Sequence, residues 1–248
     1  MGEHQGESNY NPSERESRAE WSPHRPTHIL WSDIFLVHTM DRVKGDNIDG
    51  YTPLHKAVFH HDVAKVQSLF AEGQVVDVNA TCVLKQTPLI LCVRHHYEGE
   101  ADQKKGNEIC KVLLENGAII LQNGKLIRDA YGDNPLHLAA MACNVNGPEM
   151  MRILVEKIAA ETPDKAELTE IISESCENFK NTPLHWATLV GSYEVAKLLI
   201  EHGARLGKKN KLKEKVSDYA QKYEHPKIRV IVEEEEEKRA KKREAAAA

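Results

Sequence analysis

The sequence predicts an all-α fold in which pairs of helices repeat along the chain and stack side by side. Four segments align with one another around a shared Pro-Leu pair, and each is followed by a second segment with helical apolar periodicity. The composition, 41% hydrophobic and 29% charged, is that of a soluble protein. The net charge of −5 argues against a general nucleic-acid binder, and the lack of a long apolar run argues against a membrane span.

Two segments precede the repeats. Residues 1–27 are polar and lack the apolar stretch of a secretory signal, so we expect a disordered tail on a cytoplasmic protein. Residues 28–44 are apolar and periodic, and we expect a helix that caps the open end of the first repeat.

Each aligned copy opens with a short predicted helix. Its proline suits the first helical position, because the preset φ is helical and the missing N–H has no partner there. The Thr or Asn before the proline can cap the helix. Three copies continue with Pro-Leu-His, placing His55, His137 and His185, whereas the second has Ile90 instead. The copies run over residues 50–57, 85–92, 132–139 and 180–187.

A longer predicted helix follows each copy. Three of these helices end near a glycine (Gly73, Gly117 and Gly203), which suits the left-handed residue that terminates a helix. The apolar segments cover residues 63–70, 109–114, 150–155 and 195–200.

These segments resemble the T-P-L-H-x-A motif of ankyrin repeats. The resemblance implies a solenoid of about five repeats with an N-terminal helical cap, in which the motif histidine bonds the adjoining turn. It also implies a protein-binding scaffold whose partner docks on the concave face, built from hairpin tips and first helices. The physics agrees, since a solenoid offers a long curved surface rather than a closed pocket.

The spacing between copies is longer than the usual 33 or so residues. It is 35, 47 and 48 residues, counted between the cap positions. We attribute the excess to a polar insertion at residues 98–106, between two helices, and to residues 158–174, which lengthen a helix or add another after Thr162-Pro163-Asp164. Each insertion is read either as a recognition element or as a surface spacer.

The C-terminal part carries a degenerate repeat and a charged tail. Val216-Ser217-Asp218-Tyr219-Ala220 resembles the T-x-x-D-x-A of terminal ankyrin repeats. In the tail, acids precede bases by four residues, which favours a solvated helix, while residues 238–243 could alternatively be a nuclear targeting signal. The predicted units are tail 1–27, capping helix 28–44, repeats 45–80, 81–125, 126–176 and 177–209, capping repeat 210–232 and charged helical tail 233–248.

The predicted partner-binding surface follows from counting outward from each motif. It is rich in aromatic and apolar side chains, which are the usual anchors of interfaces. We therefore predict a monomer that binds another protein as an adaptor, inhibitor, assembly chaperone or effector secreted into a host cell. The residues are Ile48, Asp49, Tyr51, Phe59, His60, Val83, Leu84, Gln86, Arg94, His95, Tyr131, Asp133, Met141, Asn178, Phe179, Asn181 and Leu189.

Other functions have weaker support. Cys92 and His95 could form a nucleophile pair in an enzyme of unfamiliar type, although Cys92 occupies a position where ankyrin repeats have a buried alanine. The pairs His60-His61 and His95-His96 lack metal-binding spacing, and the five cysteines form no C-x-x-C. No phosphate-binding loop or hydrolase motif occurs. We predict no enzymatic activity, no cofactor and no metal, with a nuclear regulator using the basic tail as a further alternative.

Overall fold

The computed structural model describes residues 50–71, 76–95, 97 and 99–247, apart from the side chains of residues 144 and 145. The predicted tail 1–27 and capping helix 28–44 lie outside the described residues. Within them, the chain forms eleven helices and one antiparallel pair of two-residue strands. The elements are α1 Pro53–Phe59, α2 Val63–Ala71, α3 Pro88–Arg94, α4 Gly99–Glu115, β1 Leu121–Gln122, β2 Lys125–Leu126, α5 Pro135–Asn146, α6 Glu149–Glu161, α7 Lys165–Ile172, α8 Pro183–Leu189, α9 Tyr193–Glu201, α10 Val216–Lys222 and α11 Pro226–Ala247.

The helices stack in two layers, which confirms the predicted all-α solenoid. The first helices of successive repeats (α1, α3, α5, α8, α10) pack against one another in that order. The second helices (α2, α4, α6, α9, α11) form a parallel layer in the same way, and α7 is an addition that packs on α6. One continuous apolar core runs between the layers from Leu54 to Val232.

The motif residues begin each first helix as predicted. Thr52, Asn134 and Thr182 cap their helices, and each side chain accepts a hydrogen bond from the backbone N–H of the motif histidine. The histidine ring returns the contact, because its Nδ1 accepts from the backbone N–H of the cap residue. Thr87 caps α3 without this return bond, since Ile90 cannot accept it.

The motif histidines join neighbouring repeats, which confirms the role implied by the resemblance. With Nδ1 acting as acceptor, Nε2 carries the proton and donates to a backbone carbonyl of the next hairpin. The distances are 3.0 Å from His55 to Gln86, 2.9 Å from His137 to Glu174 and 3.2 Å from His185 to Glu214.

A left-handed residue recurs two positions before each helix cap. It is Gly50, Lys85, Gly132, Lys180 and Lys213, with φ between 54° and 84°. Only glycine adopts this conformation without steric cost, so the three lysines are held there by the surrounding hairpin.

The two predicted insertions have different structures. Residues 98–106 were predicted to separate two helices, and this is wrong for the described part: Gly99 begins α4, so residues 99–106 are its first turns. Their polar character reflects an exposed helix face. The extra length of the third repeat forms two structures: a long α6 that ends at Glu161, and the separate helix α7. Asp164 caps α7, because its side chain accepts a hydrogen bond from the backbone N–H of Glu167 at 2.8 Å.

The second helix of the last repeat and the charged tail form a single helix, α11. Arg239 fixes its far half to the repeat before: its guanidinium donates to the carbonyls of Ala204 (2.8 Å) and Ile200 (3.2 Å) and pairs with Glu235 (2.8 Å). Arg239 thereby satisfies carbonyls at the C-terminal end of α9, where a cation is favourable.

Candidate protein-binding surface

Four hairpins project from the helical stack along one edge. Each is closed by a backbone hydrogen bond between the residue before the helix cap and a residue four or five positions upstream. These N–H to carbonyl bonds join Cys82 to Gln86 (3.1 Å), Asp129 to Asp133 (3.0 Å), Cys176 to Asn181 (2.8 Å) and Asn210 to Glu214 (3.0 Å).

The hairpin tips also bond to one another. The backbone N–H of Ala130 donates to the carbonyl of Leu84 at 2.9 Å, and that of Lys211 donates to the carbonyl of Phe179 at 2.8 Å. Between them, the side-chain amide of Asn178 donates to the carbonyl of Tyr131 at 3.0 Å. The tips therefore form one connected edge, with backbone groups paired along it.

An apolar side chain lies three residues before each helix cap on this edge: Leu84, Tyr131, Phe179 and Leu212. Val83 lies directly before Leu84. The exposed fraction is 62% for Val83, 46% for Phe179 and 65% for Leu212, whereas Leu84 and Tyr131 are half-buried. We call this set the tip row: Val83, Leu84, Tyr131, Phe179 and Leu212.

Cations flank the tip row. Lys85, Lys180, Lys211 and Lys213 are exposed, and none has a carboxylate within 4.0 Å in the part of the chain that the structure describes. The edge thus combines apolar anchors with positive charge, although the whole chain has a net charge of −5.

The structure brings some of the predicted surface residues to this side of the stack. Val83, Asn178 and Phe179 are exposed at the tips, and His60 is exposed at the end of α1. Ile48 and Asp49 lie outside the described residues. The half-buried members are Tyr51, Phe59, Leu84, His95, Tyr131 and Asp133.

Five predicted surface residues are buried, so their expected exposure is wrong. Met141, in the middle of α5, and Leu189, the last residue of α8, are covered because neighbouring helices pack against these helices. Gln86 and Asn181 lie inside their hairpins: the Gln86 carbonyl accepts from His55, and the Asn181 side-chain oxygen accepts from Tyr219 at 3.3 Å. Arg94 is the fifth.

Arg94 forms a buried ion pair with Asp129 of the next hairpin, at 3.0 Å. The guanidinium also lies over the ring of Tyr131, 4.8 Å from its centroid. Asp129 further accepts from the backbone N–H groups of Tyr131 (2.9 Å) and Asp133 (3.0 Å). Arg94 therefore holds the third hairpin in place and is a positioning residue for the tip row.

Asp133 lies next to this network. Burial, together with the negative charge of Asp129, raises the pKa of Asp133 to about 7, while Arg94 and Arg128 act in the opposite direction. Arg128 pairs instead with Glu174 at 2.7 Å and donates to the carbonyls of Gly132 and Ser175.

Sequence reasoning missed Leu212, the most exposed member of the tip row. The signal was present: Leu212 lies three residues before Lys215, which precedes α10 as a cap residue. The sequence pattern of residues 210–232 predicts a capping role alone, which leaves the exposure of Leu212 unpredicted.

The contacts of Cys92 are those of a packed core residue. The thiol is fully buried, lies 3.3 Å from the Tyr97 hydroxyl and donates to the carbonyl of Gly106 at 3.4 Å. The His95 ring packs instead against Phe59 and His61. Among the described residues, no group of three or more His, Cys, Asp or Glu side chains could hold a metal ion. No helix in that part of the chain is both long and apolar enough to cross a membrane.

The stacked helix pairs, the capped Thr-Pro-Leu-His turns and the projecting hairpins define a class of protein, the ankyrin-repeat proteins. Residues 100–210 match the family described as "Ankyrin repeats (3 copies)". Over these residues the chain contains ankyrin repeats, as its motif indicated. Ankyrin repeats generally mediate protein–protein interaction and are typically not enzymatic.

Two curated relatives are similar to the chain over its repeats. The human "Transient receptor potential cation channel subfamily A member 1" is 28% identical over 204 residues, which cover 71% of this chain and 16% of the relative. The mouse "B-cell lymphoma 3 protein homolog" is 29% identical over 182 residues, which cover 71% of this chain and 33% of the relative. The chain thus spans a third or less of the length of either relative.

Proposed function

We propose that this protein binds a partner protein through the tip row, and that it acts by holding that partner rather than by catalysis. The observation that carries the proposal is the repetition of apolar side chains at one position of four successive hairpins. Apolar groups exposed in a continuous line are typical of an interaction surface, whereas scattered ones are not.

The construction of the edge supports this proposal. The hydrogen bonds between tips and the Arg94–Asp129 pair fix the backbone that presents the apolar groups. A rigid surface loses little conformational entropy on binding, so more of the contact energy appears as affinity. The flanking lysines favour a partner with carboxylates beside its apolar anchors, since complementary charge gives specificity and fast association.

The experiment truncates exposed members of the tip row and follows binding. In a variant with Val83→Ser, Phe179→Ala and Leu212→Ser, little stability should be lost, because exposed side chains contribute little to folding. Val230→Ser is the matched control, since Val230 is 50% exposed but lies on α11, beside α9.

Partners would first be captured from cells with the wild-type chain, and affinity would then be measured for each variant by isothermal titration. We expect the triple variant to bind at least about tenfold more weakly, since interface anchors contribute about 1 kcal/mol or more each. We expect the control to bind like wild type. Unchanged affinity in a triple variant with wild-type helicity would show that the partner docks elsewhere.

A further inference from the structure

A second charged surface lies at the C-terminal end of the stack. A groove of about 970 Å³ separates helix α11 from the loop that follows α9. Arg205, Lys208 and Lys215 line its loop wall. The groove shares no residue with the tip row.

Helix α11 supplies the opposite wall. Lys238, Arg239, Lys242 and Arg243 all line the groove. Their spacing is i, i+1, i+4 and i+5, which places two adjacent rows of cations on one face of a helix. The cations therefore face those of the loop across the groove.

The carboxylates of the groove do not neutralise these charges. Glu201, Glu235 and Glu236 are its acidic lining residues, against seven cations. Glu235 is already paired with Lys238 at 3.0 Å and with Arg239 at 2.8 Å.

Four lining cations lack an ion pair within the described part of the chain. The charged groups of Lys208, Lys215, Lys242 and Arg243 have no carboxylate oxygen of that part within 4.0 Å. Lys208 is also partly buried, and that burial, together with the positive charge of Arg205, lowers the pKa of Lys208, although the charge of Glu174 acts in the opposite direction. An anion placed in the groove would relieve this accumulation of positive charge.

We propose that this groove binds a short acidic segment of a partner protein, in which several Asp or Glu side chains meet the unpaired cations on both walls. The groove-lining part of α11, residues 235–243, rises by about 12 Å, and an extended segment of four residues spans about 13 Å. The dimensions thus suit a peptide with a few consecutive carboxylates.

The same groove is poorly suited to nucleic acid. None of its lining residues is aromatic, so single-stranded bases have no stacking platform. A longer polyanion would also run along the five glutamates at residues 233–237, which would repel it. A short acidic peptide meets only Glu235 and Glu236 of these five, and Glu235 is already paired with Lys238 and Arg239.

The test measures binding of fluorescein-labelled hexaglutamate by fluorescence anisotropy at low salt, with labelled hexaglutamine as the neutral probe. The groove variant is Lys208→Gln, Lys242→Gln and Arg243→Gln. The matched control, Lys65→Gln, Lys125→Gln and Lys165→Gln, removes the same charge from exposed lysines that lie in neither the groove nor the tip row. Labelled duplex DNA and vesicles containing phosphatidylserine are measured with the same three proteins.

We expect the wild-type chain to bind hexaglutamate in preference to hexaglutamine. We expect the groove variant to lose about tenfold in affinity, which corresponds to about 1.4 kcal/mol. The control should change by less than about threefold. Equal losses in both variants would mean that net charge, not the groove, determines binding, and would overturn the proposal. So would a groove-dependent affinity for DNA or vesicles that exceeds the affinity for the peptide.

Discussion

His185 should make the stability of this protein depend on pH, and its contribution can be separated from those of the other titrating groups. The ring is buried, and Nε2 donates to the Glu214 carbonyl while Nδ1 accepts from the backbone N–H of Thr182. The bond to Nδ1 requires the neutral ring, whereas Nε2 donates in either protonation state. Burial lowers the pKa of His185 from 6.5 to about 4, although the carbonyl bond and the charges of Glu214 and Asp218 act in the opposite direction.

The size of this change in the free energy of unfolding follows from the linkage between protonation and folding. Because the folded pKa lies below the unfolded value of 6.5, the unfolded chain binds the extra proton between those values. The stabilisation is therefore complete above pH 6.5 and is lost as the pH falls towards 4. At about pH 5, the loss attributable to this one histidine is about 2 kcal/mol.

The perturbation is His185→Gln, which can keep the capping contact but does not titrate. The free energy of unfolding would be measured by urea titration of the full chain, followed by far-UV circular dichroism, at about pH 8 and about pH 5. We expect wild type to be the more stable protein at the higher pH, and the difference to shrink by about 2 kcal/mol at the lower pH.

The comparison between the two proteins removes the contributions of other titrating groups, such as Asp133, because both proteins contain them. Thr188→Val is the control: it removes a hydrogen bond to the Leu184 carbonyl in the same helix without removing a titrating group. Its stability difference from wild type should not vary with pH. A constant difference for His185→Gln as well would refute the assignment of a neutral, buried ring.

Three further changes test the packing of the repeats by urea unfolding. Gly106→Ala should cost about 1–3 kcal/mol, because a Cβ there would lie 2.3 Å from the buried ring of Tyr97. Arg94→Met should cost about 3 kcal/mol, because it leaves the Asp129 carboxylate buried without its counter-ion. Lys180→Gly should stabilise the protein by about 0.5–1 kcal/mol, because φ at this position is 56° and glycine adopts it without strain.

Each of these has a matched comparison. Gly207→Ala should be tolerated, since a Cβ there meets no heavy atom within 4 Å. Adding Asp129→Asn to Arg94→Met should recover part of the lost stability, and a purely additive loss would contradict the ion-pair account. Lys209→Gly, at a position without positive φ, should not stabilise, because glycine there only raises the entropy of the unfolded chain; a gain equal to that at Lys180 would contradict the account based on positive φ.

The repeat architecture could be predicted because its signals are local. A Thr or Asn cap, the proline at the first helical position and the histidine three residues after the cap interact within one turn of helix. The positions of Thr52, Asn134 and Thr182 therefore indicated where first helices begin without any knowledge of neighbouring repeats. The second helices followed from apolar periodicity, which reports a one-sided contact with the core.

Exposure at the predicted surface could not be read in the same way. Arg94 and Gln86 are polar residues at positions that face outward in an isolated repeat, and both are buried, Arg94 by the next hairpin and Gln86 inside its own hairpin beside His55. The partner of Arg94 is Asp129, 35 residues away, and no local sequence pattern indicates that pairing. The polar segment 99–106 likewise reads as a loop, because an exposed helix with few apolar residues has a weak periodic signal.

The amino-acid sequence by itself determined the repeat architecture, the number and order of the helix pairs, and the positions of the hairpins between them. Those properties depend on interactions between residues a few positions apart, which repeat along the chain. The tertiary structure alone decided which side chains of that edge reach solvent, and which cations of α11 and the α9 loop face each other across a groove. Both depend on how one repeat is placed on the next, and that placement is set by contacts between residues far apart in the chain.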